Sequence, residues 1–166
     1  MYGYQFHNLQ LTARANGWTP FVSMQNHYNL LYREDERELI PICRQENVAL
    51  TPYSPLAAGR LSRPNWEADT LRNRTDKTAA SKYDSTRDAD MRIAEAVKET
   101  AQAHGASMSQ IALAWLWAKG VASPIVGATQ SRYLTDVAGA LDIRLTAGEI
   151  AALEADYLPH RVVGAL

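Results

Sequence analysis

With 166 residues, 46% of them apolar and 21% charged, the chain has the size and composition of one ordinary globular domain able to bury a real core. A net charge of −1 and a pI near 6.4 give no electrostatic reason to expect nucleic acid or an anionic membrane as partner. Lone Cys43 excludes an internal disulfide and a multi-cysteine zinc site.

In chain order, residues 2–16 suit a helix that Gly17 stops. The N-terminal MYGYQFHNLQ has neither a basic nor an apolar leader region, and no apolar run reaches the ~20 residues needed to span a bilayer, so the expected address is cytoplasmic. FVSMQ (21–25) reads as a strand bounded by Pro20. Residues 33–46 read as a helix with Leu39, Ile40 and Cys43 on one face and a solvated run, Arg33 to Glu38, on the other; Pro41 is expected to strain or bend it. Cys43 is expected to be a packed core thiol. VALT (48–51) is a second short strand ended by Pro52. Residues 54–87 form a long polar loop, of a length that usually carries function. Helices follow at 88–104, ended by Gly105, and at 108–118, capped by Ser107 and apolar nearly all round. The carboxylates Asp84, Asp88 and Asp90 suit the start of the first of these, where the helix dipole alone accounts for them. ASPIV (122–126) reads as a third strand, followed by helices over 131–141 and 145–157, the last with a Thr146/Glu149 capping box.

Alternating buried strands and amphipathic helices predict an α/β fold with parallel strands in right-handed units. No GxGxxG follows the first strand, so a Rossmann site is not supported. In such folds function gathers in the loops after the strand C-termini. Those loops read SMQNHYN, TPYSPLAAG and VGATQS. Gln25 and Asn26 end the first. Tyr53 and Ser54 end the second, where an aromatic at a strand end is either half-buried packing or a flat face on which a ring can stack. In the third, Gly127, Ala128 and Thr129 precede a helix. They suit either a phosphate held at a helix N-terminus or a glycine-assisted turn capped by Thr129 or Ser131. His27 has no second metal ligand at suitable spacing, so no metal is expected, and His7, His104 and His160 read as surface or packing residues.

The stretch MQNHYNLLYREDERELIPICRQENVALTPYSPLAAGRL, then the long loop, then SPIVGATQSRYLTDVAGAL, resembles the aldo-keto reductases, and among them the aryl-alcohol dehydrogenase-like group. The resemblance covers essentially the whole chain but only the C-terminal half of that family. It implies a partial (βα)8 TIM barrel: one half-barrel unit, 1–166, carrying the equivalents of strands six to eight, with the loop 54–87. The family's catalytic Asp-Tyr-Lys-His set matches no motif here, so no catalytic residue is named, and Tyr53 is not the catalytic tyrosine. The cofactor half of the machinery carries over as an NADP(H) site. By resemblance, Gln25 bonds the nicotinamide carboxamide and Tyr53 stacks on its ring. Ser54, Pro55, Leu56 and Ala58 run along the pyrophosphate, with Arg60 and Arg63 near the phosphates. Gly127, Ala128 and Thr129 hold the 2′-phosphate. Tyr133, beside Arg132, stands where the family usually has Arg or Gln, and Asp136 and Val137 stand where it often has Glu and Asn near the adenine. The resemblance thus implies an oxidoreductase that reduces carbonyls to alcohols, represented by its cofactor-binding half and expected to be inactive alone. The alternatives are a non-catalytic nucleotide-binding or interaction half-barrel and a degenerate structural remnant. A half-barrel leaves open strand edges, which predicts self-association or pairing with a complementary half.

Overall fold

A computed structural model describes residues 1–64, 66, 83 and 86–162, so most of the expected 54–87 loop lies outside the described residues. Helix α1 (Gly3–Ala15) ends as anticipated. Gly17 takes φ 66, and the Trp18 and Gly17 amides close back onto the carbonyls of Ala13 and Arg14. Strand β1 (Ser23–Met24) runs parallel to β2 (Ala49–Leu50), with Ser23 opposite Ala49. The ladder continues past both strands: Tyr53 N–H donates to Asn26 C=O at 2.9 Å.

The third expected strand, 122–126, is not formed as a strand. It is reduced to a single parallel bridge between Ile125 and Tyr53, with Ile125 N–H on Pro52 C=O at 2.9 Å. The Ala122 and Ser123 amides also reach Leu50 C=O, but Pro52 has no amide to return a bond to the third segment, so the ladder is interrupted there.

The expected helix 33–46 is broken. Residues Glu34–Arg37 form a 3-10 turn, and α2 (Leu39–Gln45) starts afresh after Glu38. The break lies upstream of Pro41, whose ring would clash with a helical carbonyl at Arg37. Within α2, Pro41 sits in the first turn, where its missing N–H leaves no bond unmade.

After the loop come α3 (Arg87–His104), α4 (Met108–Ala118), α5 (Ser131–Gly139) and α6 (Ala147–Glu154). A 3-10 turn, Ala140–Asp142, completes the expected 131–141. Both anticipated caps form: Ser107 Oγ accepts from Gln110 N–H, and Thr146 Oγ1 from Glu149 N–H. Helix α4 is the centre of the core; Ile111 to Leu116 are all buried, as the apolar run predicts. Around it pack Ile93, Val97 and Ala101 of α3, Val48 just before β2, Leu50 of β2, and Leu153 of α6. Cys43 is fully buried among them, and burial pushes its thiol up to about 11.

Two sets of charges are placed otherwise than expected. Arg33 to Glu38 is not a solvated face. Glu34 is buried and accepts from Tyr157 O–H (2.7 Å) and His160 N–H (2.8 Å). Arg33 pairs with Glu36 and Glu154, with its guanidinium over the Trp115 and Tyr157 rings. The run breaks from one helical face because the chain returns at 154–160 to cover it. Likewise Asp90 is not explained by the helix dipole alone, and of the two readings of His160, surface or packing, packing holds. Both residues are buried, 3.3 Å apart, and Thr86 Oγ1 bonds each of them. Among the described residues no helix is long and apolar enough to cross a membrane.

Candidate cofactor site

Tyr53 is the point where the three strand ends meet. Its backbone bridges His27 on one side and Ile125 on the other, which brings the loops after β1, β2 and residue 126 to one end of the molecule. Its half-buried ring stacks on His27, 5.1 Å between centroids and 16° between planes. His27 stacks in turn on Tyr32 at 4.1 Å. Burial raises the Tyr53 phenol above its ordinary pKa. Beside this stack, Gln25, Asn26, Asp35 and Tyr53 border a cleft of about 120 Å³. Gln25 is exposed to it, whereas Asn26 is buried and donates from its amide to Asp35 at 3.0 Å. Burial holds the Asp35 carboxyl above the usual range, against the lowering effect of that bond.

The loop after Tyr53 turns back on itself within six residues. Ser54, Ala57 and Ala58 take left-handed φ values of 58, 47 and 56, and Gly59 follows at 94. Residues of this kind persist in such backbone only where the surroundings impose it. Most side chains of the turn are small: Ser54, Ala58 and Gly59 are half-buried, Pro55 and Ala57 are buried, and Leu56 is partly buried against the core. Arg60 lies with its guanidinium over the Tyr83 and Trp66 rings, about 5 Å from each. The Arg63 guanidinium lies within 4 Å of where a side chain on Gly59 would begin.

Gly127, Ala128 and Thr129 are exposed, and a side chain added at Gly127 would meet nothing within 4 Å. The residue capping α5 is Gln130, which makes no side-chain cap bond, so the turn reading with Thr129 or Ser131 as cap does not apply. The first amides of α5 are left without a side-chain acceptor, which suits an anion. Arg132 and Tyr133 are exposed, with the guanidinium over the ring at 5.1 Å. Asp136 accepts from Ser107 O–H at 3.0 Å, so it also ties α5 to the cap of α4. Among the described residues no group of three His, Cys, Asp or Glu could hold a metal; the groups against His27 include Tyr53, Tyr32, Tyr83 and Asn29.

Comparison with known families gives a match to the model described as "Aldo/keto reductase family" over residues 2–157. The chain belongs to the aldo/keto reductase family. Among the relatives of this reductase chain is the versiconal hemiacetal acetate reductase of Aspergillus parasiticus, 38% identical over 98% of this chain and 48% of that protein. Another is a Schizosaccharomyces pombe protein that carries an aryl-alcohol dehydrogenase name, 42% identical over 97% of this chain and 45% of its own length. A solved structure, the thermostable aldo-keto reductase Tm1743 bound to the inhibitor epalrestat, matches with a TM-score of 0.63 and 27% identity, over 90% of this chain and 44% of that one. The aldo/keto reductase chain thus spans about half the length of the relatives it matches. It is a partial α/β piece of a TIM-barrel family.

The structure also assembles residues around the site that the motifs do not single out. Asn29 and Tyr83 stand directly behind the Ser54 turn, and Asp35 lines the cleft. Asn29 was detectable only as a second polar residue in NHYN. Tyr83 carries no sequence signal at all, lying amid a polar tract.

Proposed function

We propose that this chain provides the NADP(H) seat of a carbonyl reductase of the aldo/keto reductase type. The observation that carries the reading is the meeting at Tyr53 of three loops, each ending a parallel strand segment. Gln25 then lies at one side of the Tyr53 ring, the small-residue turn Ser54–Gly59 at another, and the open N-terminus of α5 beyond Ile125.

The residues present fit such a dinucleotide. When bound, it would supply the hydride, and this chain's own groups would bind and orient it. Gln25 is the exposed amide beside the ring platform and would bond the carboxamide. The Tyr53 ring, held flat by its stack on His27, would seat the nicotinamide. The turn of Ser54, Pro55, Leu56 and Ala58 would admit the pyrophosphate because no bulky side chain stands in it. Arg60 adds positive charge nearby. Gly127, Ala128 and Thr129 would take the adenosine 2′-phosphate on backbone amides, with Arg132, Tyr133 and Asp136 along the adenine side. The family's proton-transfer set matches nothing in this sequence, so the chain's part is binding and orientation. The aryl-alcohol dehydrogenase name of the Schizosaccharomyces pombe relative suggests an aryl alcohol as the alcohol side of the reaction.

Isothermal titration with NADP and NAD at two salt concentrations tests this. Binding on the order of 0.1–1 mM is expected, since the nicotinamide pocket is only part-built, corresponding to about 4–5.5 kcal/mol. NADP should bind more tightly than NAD and lose affinity as salt rises, because a dianionic phosphate is recognised. Equal binding of the two would remove the 2′-phosphate role from Gly127–Thr129. Absence of binding at several millimolar would leave a structural remnant.

A further inference from the structure

The turn Ser54–Gly59 holds three non-glycine residues in left-handed backbone, so something outside the turn must impose its shape. Behind it stands a closed polar cluster. Asn29 is fully buried, and its amide is saturated. The oxygen accepts from Leu31 N–H (2.9 Å) and Tyr32 N–H (3.0 Å); the nitrogen donates to Ser54 C=O (2.9 Å) and to the Tyr83 phenol (3.1 Å). The two backbone donors settle which end of the amide is oxygen. Tyr83, 1% exposed, places its hydroxyl 2.7 Å from His27 Nε2, and the Ser54 side chain bonds the same phenol. The Tyr83 ring lies under the Arg60 guanidinium at the far end of the turn. One side chain therefore touches the first residue of the turn, the first basic residue beyond it, and the histidine on which Tyr53 stacks.

We infer that Tyr83, acting with Asn29 and His27, locks the Ser54–Gly59 turn and the Tyr53 platform into one arrangement and so sets the nucleotide affinity of the site. Tyr83 is a positioning residue: it reaches no ligand itself. The inference rests on the dinucleotide reading above for its functional consequence, but not for the lock. Burial, opposed by the bonds from Asn29 and Ser54, raises the phenol to about 12, so it stays protonated at working pH.

The test compares wild type with Tyr83→Phe and, as a matched phenol deletion elsewhere, Tyr28→Phe, which removes the bond to Glu36. Hydrogen exchange without nucleotide is read at Ala57 and Gly59, whose amides close the turn onto Ser54 and Leu56 carbonyls. Tyr83→Phe should speed their exchange about tenfold and weaken NADP binding about tenfold, the scale of one or two lost hydrogen bonds. Tyr28→Phe should do neither. Should Tyr83→Phe fail to fold, Ser54→Ala removes the same contact from the turn side and should speed the same amides. Unchanged exchange in the folded variants overturns the lock. Faster exchange with unchanged NADP affinity overturns its control of binding. Faster exchange in a chain whose wild type binds no NADP supports the lock and refutes only the dinucleotide reading.

Discussion

Replacing Glu34 separates a buried anchor from a surface charge. Its side chain is 6% exposed, and one carboxylate oxygen accepts from both Tyr157 O–H and His160 N–H. The other oxygen pairs with Arg37, which is largely exposed. Glu34→Ala strands two donors that had a charged acceptor, each costing about 1.5–3 kcal/mol, so a total of about 3–5 kcal/mol is expected. The Arg37 pair adds at most about 1 kcal/mol, since solvent screens it. Glu34→Gln keeps an oxygen for both donors and should cost only about 1 kcal/mol. Urea unfolding followed by circular dichroism reads the difference. With an m-value of about 2 kcal/mol per M, the alanine midpoint should fall by about 2 M and the glutamine midpoint by about 0.5 M. The effect should also reach the cleft, because the anchored tail carries Val162 to its lining, which Asp35 shares. A loss below 1 kcal/mol for Glu34→Ala, or equal losses for both variants, would refute the anchor and restore the solvated-face reading.

Cys43, fully buried with its thiol raised to about 11, should react with a disulfide reagent only after denaturant is added; fast labelling of the native chain would contradict that placement. Glu149 is held down to about 2, chiefly by the Thr146 backbone amide and then by His104. Its folded value lies below the unfolded value of about 4.3, so its contribution to stability is present above pH ~4.3 and is lost as pH falls through about 2. A carboxyl-carbon titration by NMR with a midpoint above 4 would remove it. The purified chain should not turn over 4-nitrobenzaldehyde with NADPH, because no motif supplies the proton donor, whose loss alone costs about 10²–10⁴-fold; measurable turnover in a contamination-controlled assay would overturn this. Trp18, Phe21 and Val22 expose large apolar surface leading into β1, so self-association is expected at tens of micromolar. A monodisperse monomer by light scattering would speak against it.

Much of the architecture is local and could be read directly. Gly17 and Gly105 stop helices because the backbone must turn left-handed there. Ser107 and Thr146 cap helices through bonds within four residues. The apolar run of α4 had to be buried. The motif loops SMQN, YSPLAAG and GATQ could be recognised because the residues that would touch a ligand are contiguous. What could not be read depends on chain segments that meet only after folding. Glu34 is an anchor because residues 157–160 return to it, and Asp90 is buried because His160 closes over it. The third strand shrinks to one bridge because Pro52, without an amide, cannot return a bond to the distant segment that folds beside it. Tyr83 shapes a turn that it does not adjoin in sequence; only the tertiary structure brings its phenol to Asn29, His27 and Ser54. Short-range backbone chemistry is written in neighbouring residues, whereas the burial and pairing of a polar side chain depend on which distant segment excludes the water around it.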